Sequence, residues 1–264
     1  MNLKIKHVTD YHYDRPVYYA LQRLRLTPVS HATQKVTEWT TEIEGATVQV
    51  AYEDHFGNRV QMVSTDTGST LLRIVASGTI ETEDTNGVAG PHTGFAPLWL
   101  YERDTPLTRS SKAIRDLART IDKGDDLEKL HALMAAVADA VRYETGATHT
   151  ATTAEEALEA GIGVCQDHAH IFCSAARFLG FPARYVSGYL MMDDRTEQTA
   201  THAWAEAYVD RLGWVGFDAS NAICPDERYA RMATGLDYDD AAPVSGIRLG
   251  NSSETLAVAI TVEQ

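Results

Sequence analysis

The sequence is short of several things. Cysteine is scarce, with Cys165, Cys173 and Cys224 the three in 264 residues. An odd, sparse set argues against a disulfide framework and fits a reducing cytoplasm. The first stretch, MNLKIKHVTDYHYD, has no apolar core and no small-residue cleavage site, so no signal peptide is read there and a cytoplasmic protein is expected. No run approaches the ~18 apolar residues of a membrane span. Positive charge is also short: 23 Lys and Arg face 37 Asp and Glu, a formal net charge of -14. That disfavours a nucleic-acid partner, which needs clustered Lys and Arg, and an anionic membrane surface. No calcium loop of the D-x-D-x-D-G kind is present, and the runs LDYDD and MMDD read as solvated loops. Proline is sparse as well, at 8, while 44% of residues are hydrophobic and 23% charged. That composition belongs to a folded chain.

What is present changes period along the chain. The first hundred residues read as β. LKIKHVTDYHY alternates, and TEWTTEIEGATVQVAYEDHFGNRVQMVS reads as two strands around an HFGN turn. LLRIVASGTIETE is a further strand, rich in β-branched residues. Short strands without helices between them suggest an antiparallel sandwich. NGVAGPHTGFAP then punctuates the chain, and the boundary is placed near residue 100, giving a β-rich domain over 1–100 and a second domain over 101–264. Helical stripes follow at 110–121 and 126–143. TAEEALEAG opens on Thr153 as an N-cap and closes on Gly161. A fourth helix is expected from Cys165 to Leu179, ended by Gly180 and Pro182. ARYVSGYLM, THAWAEAYV and GWVGFDAS read as strands, residues 222–250 as irregular, and TLAVAITVE as a closing strand. Helices followed by an antiparallel sheet make an α+β pattern.

The chemistry gathers around three residues. Cys165 follows GIGV and opens a helix, where unpaired N–H groups and the positive end of the macrodipole favour a thiolate. Gly161 and Gly163 leave room there for a sharp turn and a substrate. A buried structural cysteine is the competing reading at this point. In THAWAEAYV, strand alternation puts His202, Trp204, Glu206 and Tyr208 on one face and the alanines on the other. Asp218 lies sixteen residues after His202, the span of one strand, a tight RLG turn and its return. A hairpin sets the two side by side. The carboxylate can then accept one ring proton, fix the tautomer and leave the other nitrogen to a thiol. Asp218 also reads as a turn former in DASN.

These residues resemble the transglutaminase-like superfamily, and within it the bacterial cysteine-protease-like subgroup that carries an N-terminal β-rich domain. GVCQDHAHIFCSAARFLGFPARYVSGYL is similar to the family's cysteine motif, helix and following strand. THAWAEAYVDRLGWVGFDASN is similar to its histidine and aspartate motifs. The match is near-continuous over residues 153–221, and Ala219 stands where a proline is usual. The resemblance implies a papain-like core, with a cysteine-bearing helix packed on an antiparallel sheet. It makes Cys165 the nucleophile, His202 the base and Asp218 the orienting acid, with no metal or cofactor.

The reaction expected is acyl transfer through a thioester on an amide or peptide carbonyl. Hydrolysis of a peptide or protein substrate leads, with amine-transferring cross-linking and a catalytically silent peptide-binding module as alternatives. The backbone N–H of Cys165 is one oxyanion donor. Gln166 stands next to it and either donates as well or caps or orients the loop. Trp204 and Trp214 are candidate walls of the substrate groove, and Tyr143 a candidate to shape the cleft. A zinc site drawn through Cys165, His168 and His170 lacks a fourth ligand at zinc spacing, and the two histidines do not share a helix face. Cys173 reads as core and Cys224 as a loop residue.

Overall fold

The computed structural model describes residues 1–250 and 252–264. Seven strands come first: β1 (Asn2–Val17), β2 (Tyr19–Thr27), β3 (Gln34–Glu44), β4 (Ala46–Glu53), β5 (Arg59–Thr65), β6 (Ser69–Thr82) and β7 (Val88–Gly90). A 3-10 turn at Leu98–Glu102 leads to α1 (Lys112–Arg119), α2 (Asp126–Ala140), β8 (Arg142–Tyr143), α3 (Ala154–Ala160), β9 (Ile162–Gly163) and α4 (Cys165–Phe178). The remainder is β10 (Ala183–Leu190), β11 (Glu197–Gln198), β12 (His202–Val209), β13 (Gly213–Phe217), β14 (Tyr229–Gly235), α5 (Tyr238–Ala241), β15 (Val244–Leu249) and β16 (Glu254–Glu263).

Two sheets of order β11-β16-β1-β6-β3 and β15-β2-β5-β4 form the sandwich. Alternation does the folding here. Leu3, Ile5 and Tyr11 of β1 face inward and meet Leu24, Val63, Leu72, Ile74 and Ile260 in one core. Each such side chain contributes roughly 1.5–3 kcal/mol on burial. The stretch expected to make two strands makes three, because the chain turns at Gly45 with φ +80 before it turns again at HFGN.

The second unit sets α4 against a sheet of order β14-β10-β12-β13-β7. Ala203, Ala205 and Ala207 of β12 share a core with Ala169, Phe172 and Ala176 of α4. Small residues on both surfaces let the helix lie close to the strand. Phe172 stacks on Phe217 with ring centroids 5.0 Å apart. Thr153 caps its helix as expected, forming a capping box with Glu156; Ser111 accepts from Ile114 N, and Asp125 and Glu128 form a second capping box. Such caps are worth about 1 kcal/mol each.

A single cut at residue 100 does not describe the path of the chain. β7 joins the edge of the helix-bearing sheet, while β15 pairs with β2 and β16 pairs with β1 across ten residues. β15 and β16 thus return to the sandwich, where Ile260 and Val262 find inward positions. Residues 222–250 are also more regular than their composition suggests. They supply β14, α5 and β15, and β14 is buried on both faces, so it shows no alternation. Among the described residues no helix is long and apolar enough to cross a membrane.

Candidate active site

α4 begins at Cys165 itself. Gly161, at φ +65, closes α3, and β9 then runs parallel to β8 with Tyr143 opposite Gly163. Asp167 caps the new helix: its Oδ2 accepts from Val164 N at 2.7 Å and from Thr148 Oγ1 at 2.6 Å. Gly163 serves that cap more than a substrate, since a Cβ there would sit 2.8 Å from Asp167 Cβ. His168 clamps the same turn, with Nδ1 2.8 Å from Val164 O and Nε2 2.9 Å from Val141 O. His170 lies on the other side of the helix, accepting from Tyr238 N. Asp167 and His168 thereby hold the turn on which Cys165 sits.

β12 and β13 form the expected hairpin. Ala205 pairs with Phe217, so Asp218 follows diagonally across from His202. His202 Nε2 lies 2.6 Å from Asp218 Oδ2, which leaves Nδ1 to Cys165. Burial alone would lower the imidazole, but the Cys165 charge and the bonds to Asp218 and Cys165 outweigh it and raise His202 to about 10. Asp218 moves the opposite way. Burial pushes its carboxyl up, and the bonds from His202, Ser220 and Asn221 hold it well below the usual carboxylate range.

That carboxylate is saturated with donors. Oδ2 also accepts from Asn221 Nδ2 and Tyr229 Oη, each at 2.8 Å. Oδ1 accepts from Ser220 N at 3.0 Å, Ser220 Oγ at 2.6 Å and Asn221 N at 3.2 Å. The turn-forming and histidine-orienting readings of DASN therefore hold together: one oxygen builds the turn and the other receives the imidazole. A carboxylate fixed this way cannot rotate away from the ring. Ala219 is buried in the core and leaves these bonds intact. Tyr229 escapes a sequence reading because it arrives from β14, eleven residues on, with no motif around it.

The four remaining candidates separate. Tyr143 comes to Cys165. Burial first, then the charges of Cys165, Asp218 and Asp167, raise its phenol to about 12, and the residue stays 49% exposed at the mouth of the site. Trp204 packs on His202 with rings 6.3 Å apart and on Tyr229 at 5.4 Å. It is 3% exposed, so it backs the imidazole and does not wall an open groove. Gln166 donates to Thr150 O at 3.1 Å and ties down the preceding loop. Trp214 is elsewhere: it lies among Phe56, Tyr101 and Tyr208, under the Arg184 guanidinium, and the groove-wall expectation for it is corrected. Its place in β13 puts it at the far end of the hairpin from Asp218. Cys173 is fully buried, where burial raises its thiol to about 12. A thiol, an imidazole and a carboxylate in this order support nucleophilic attack on a carbonyl carbon.

Comparison with known proteins bears on the family and the fold. Residues 115–219 match the family described as the transglutaminase-like superfamily. Residues 3–81 match the bacterial transglutaminase-like N-terminal region. An uncharacterised protein of Mycobacterium leprae is 29% identical over 274 residues, covering 98% of each chain. One of Mycobacterium tuberculosis is 28% identical over 280 residues, covering 96% of this chain and 89% of its own. The crystal structure titled as a "putative cysteine protease" from Cytophaga hutchinsonii shares the fold, with a TM-score of 0.79 at 21% identity over 100% of this chain and 91% of that one.

Proposed function

Because the chain belongs to the transglutaminase-like superfamily, we propose that it is a cysteine-dependent hydrolase of amide or peptide bonds, acting through a thioester on Cys165. The observation that carries this is the polarity of His202: one nitrogen is held by Asp218 at 2.6 Å, and the other is left for the thiol at the start of α4.

In the first step the Cys165 sulfur adds to the carbonyl carbon. The oxygen becomes an oxyanion at the helix start, where the Cys165 backbone N–H, free of any intrahelical acceptor, donates to it. The Tyr143 hydroxyl is the second donor. It stands at the mouth of the site beside Cys165, and the tetrahedral oxygen forms on the carbon bound to the sulfur. The His202 imidazolium gives its proton to the departing amine nitrogen as the carbon–nitrogen bond breaks and the thioester forms. Water then attacks the thioester, gives a proton back to His202 and releases a carboxylic acid and the Cys165 thiolate. Asp218 holds the ring in one tautomer through both steps.

Hydrolysis and amine transfer share the first step and differ in the acceptor. A glutamine-peptide library, incubated with and without a primary amine, separates them. Release of ammonia or a new carboxylic acid without amine incorporation is the expected result. Incorporation of the amine would make the protein a transglutaminase, and no product of either kind with a reactive Cys165 would favour a silent binding module.

A further inference from the structure

A second charged cluster lies on β12, four residues past His202 on the same face. Glu206 is 3% exposed. Arg184 Nε donates to its Oε2 at 2.7 Å, and Arg231 Nη1 reaches both of its oxygens at 3.3 Å. Burial alone would raise Glu206, but the two guanidiniums outweigh it and lower the carboxyl to about 2. Two cations therefore share one anion. Arg184 is well engaged, with a second nitrogen 2.5 Å from the same oxygen and its plane 4.1 Å over Trp214. Arg231 is less so. Among the described residues its side chain donates to Glu206 alone, at the long distance of 3.3 Å.

His31 lies beside this cluster. The Thr33 backbone N–H donates to its Nδ1 at 3.4 Å, so Nδ1 is the acceptor and the ring proton is on Nε2. Burial, then the charge of Arg231, lowers His31 to about 2, which keeps the ring neutral. Its Nε2–H is buried with no acceptor among the described residues.

His31, Arg184 and Arg231 line a cavity of about 360 Å³, with Phe56, Tyr101 and Trp214 among its other walls. It lies at the seam between the sandwich and the second sheet, and the seam is fixed. Gln34 exchanges two bonds of 2.8 and 2.9 Å with the Arg231 backbone, and Asn58 exchanges bonds of 2.7 and 2.8 Å with that of Thr234. β14 is an edge strand, and these two amides take the place of a neighbour. None of Cys165, His202, Asp218 and Tyr143 lines the cavity, and its one lining carboxylate, Glu53, is exposed to solvent.

We propose that this cavity binds a small organic carboxylate, which accepts from the Arg231 nitrogens that Glu206 leaves free and extends its carbon skeleton past Phe56. A guanidinium with free N–H groups fits a planar carboxylate. A free acid and the C-terminus of a peptide present the same chemistry.

The test titrates the full chain with 3-phenylpropionate, with 3-phenylpropanol as its uncharged counterpart, and with inorganic phosphate. The Trp214 indole N–H is followed by NMR, assigned by its loss in Trp214→Phe. The acid should bind saturably with a Kd of about 1 mM or tighter, shift the Trp214 signal, and exceed the alcohol and phosphate at least tenfold. Arg231→Gln, which leaves the Arg184–Glu206 pair in place, should weaken the acid at least tenfold. N-acetylglycylphenylalanine, titrated into Cys165→Ala to prevent turnover, distinguishes the sources. Tighter binding than the simple acid marks a peptide terminus, and weaker binding marks a free acid. Equal response to acid and alcohol, no saturation, or unchanged binding by folded Arg231→Gln would overturn the proposal. If Arg231→Gln does not fold, the acid-against-alcohol comparison on the natural chain decides by itself.

Discussion

β12 carries two buried charged clusters on one face, and they use charge in different ways. At its start His202 is raised to about 10 while Asp218 is held low. The pair stands beside a sulfur at a helix start and the half-exposed Tyr143. Four residues on, Glu206 is lowered to about 2 between Arg184 and Arg231, and among the described residues its side chain bonds to those two guanidiniums alone. The first cluster holds a proton that can be donated. The second holds fixed charges of guanidinium and carboxylate, which hardly exchange protons near neutral pH. Burial of ions alone therefore does not mark an active site. A group able to gain or lose a proton against a nucleophile does.

Substitution can break this contrast. Cys165→Ala should abolish turnover and leave the thermal melt nearly unchanged, since the thiol is one small group in a helix capped by Asp167. Asp218→Asn should come next, with kcat falling about 10⁴-fold as the amide permits the wrong tautomer. The same variant should move the alkaline limb of the pH–rate profile downward, because a bond that raises His202 is lost. In the natural chain that limb should lie near 10. Tyr143→Phe should lower kcat about 10²-fold with KM little altered, the signature of an oxyanion donor. Glu206→Gln should leave turnover close to unchanged and instead cost about 3–5 kcal/mol in denaturant unfolding, because two guanidiniums lose their counter-charge.

Stability should follow pH with opposite signs at the two ends of the triad. His202 rises from 6.5 to about 10 on folding. Its contribution is whole below 6.5 and is lost as pH climbs toward 10. Asp218 falls below its ordinary 3.8, so its contribution is present above that value and lost as pH drops beneath it. Urea melts across pH 3–10 on the natural chain and on Asp218→Asn would show whether both slopes flatten together.

Much of the first cluster was legible because it is local. Cys165 opens a helix whose start and stop signals are written around it, and His202 and Asp218 are joined by one hairpin. α1 to α4 were readable for the same reason, from apolar stripes and from local signals such as Thr153, Gly161 and Gly180. The second cluster was not legible, since His31, Arg184, Glu206 and Arg231 come from four separate segments. Trp214 was misplaced because alternation assigns a face and not a distance along the strand. Tyr229 was missed because β14 is buried on both sides and shows no period. The return of β15 and β16 to the sandwich was hidden likewise, for strand pairing across more than two hundred residues leaves no mark in either strand's own pattern.

The central claim is that Cys165 is the activated thiol, and alkylation tests it directly. Burial raises Cys173 to about 12 and also raises Cys224, whereas Cys165 faces an imidazolium. Iodoacetamide at neutral pH, followed by peptide mass spectrometry over time, should label Cys165 far faster than the other two, and Asp218→Asn should slow that labelling. Equal, slow labelling of all three cysteines would contradict the account.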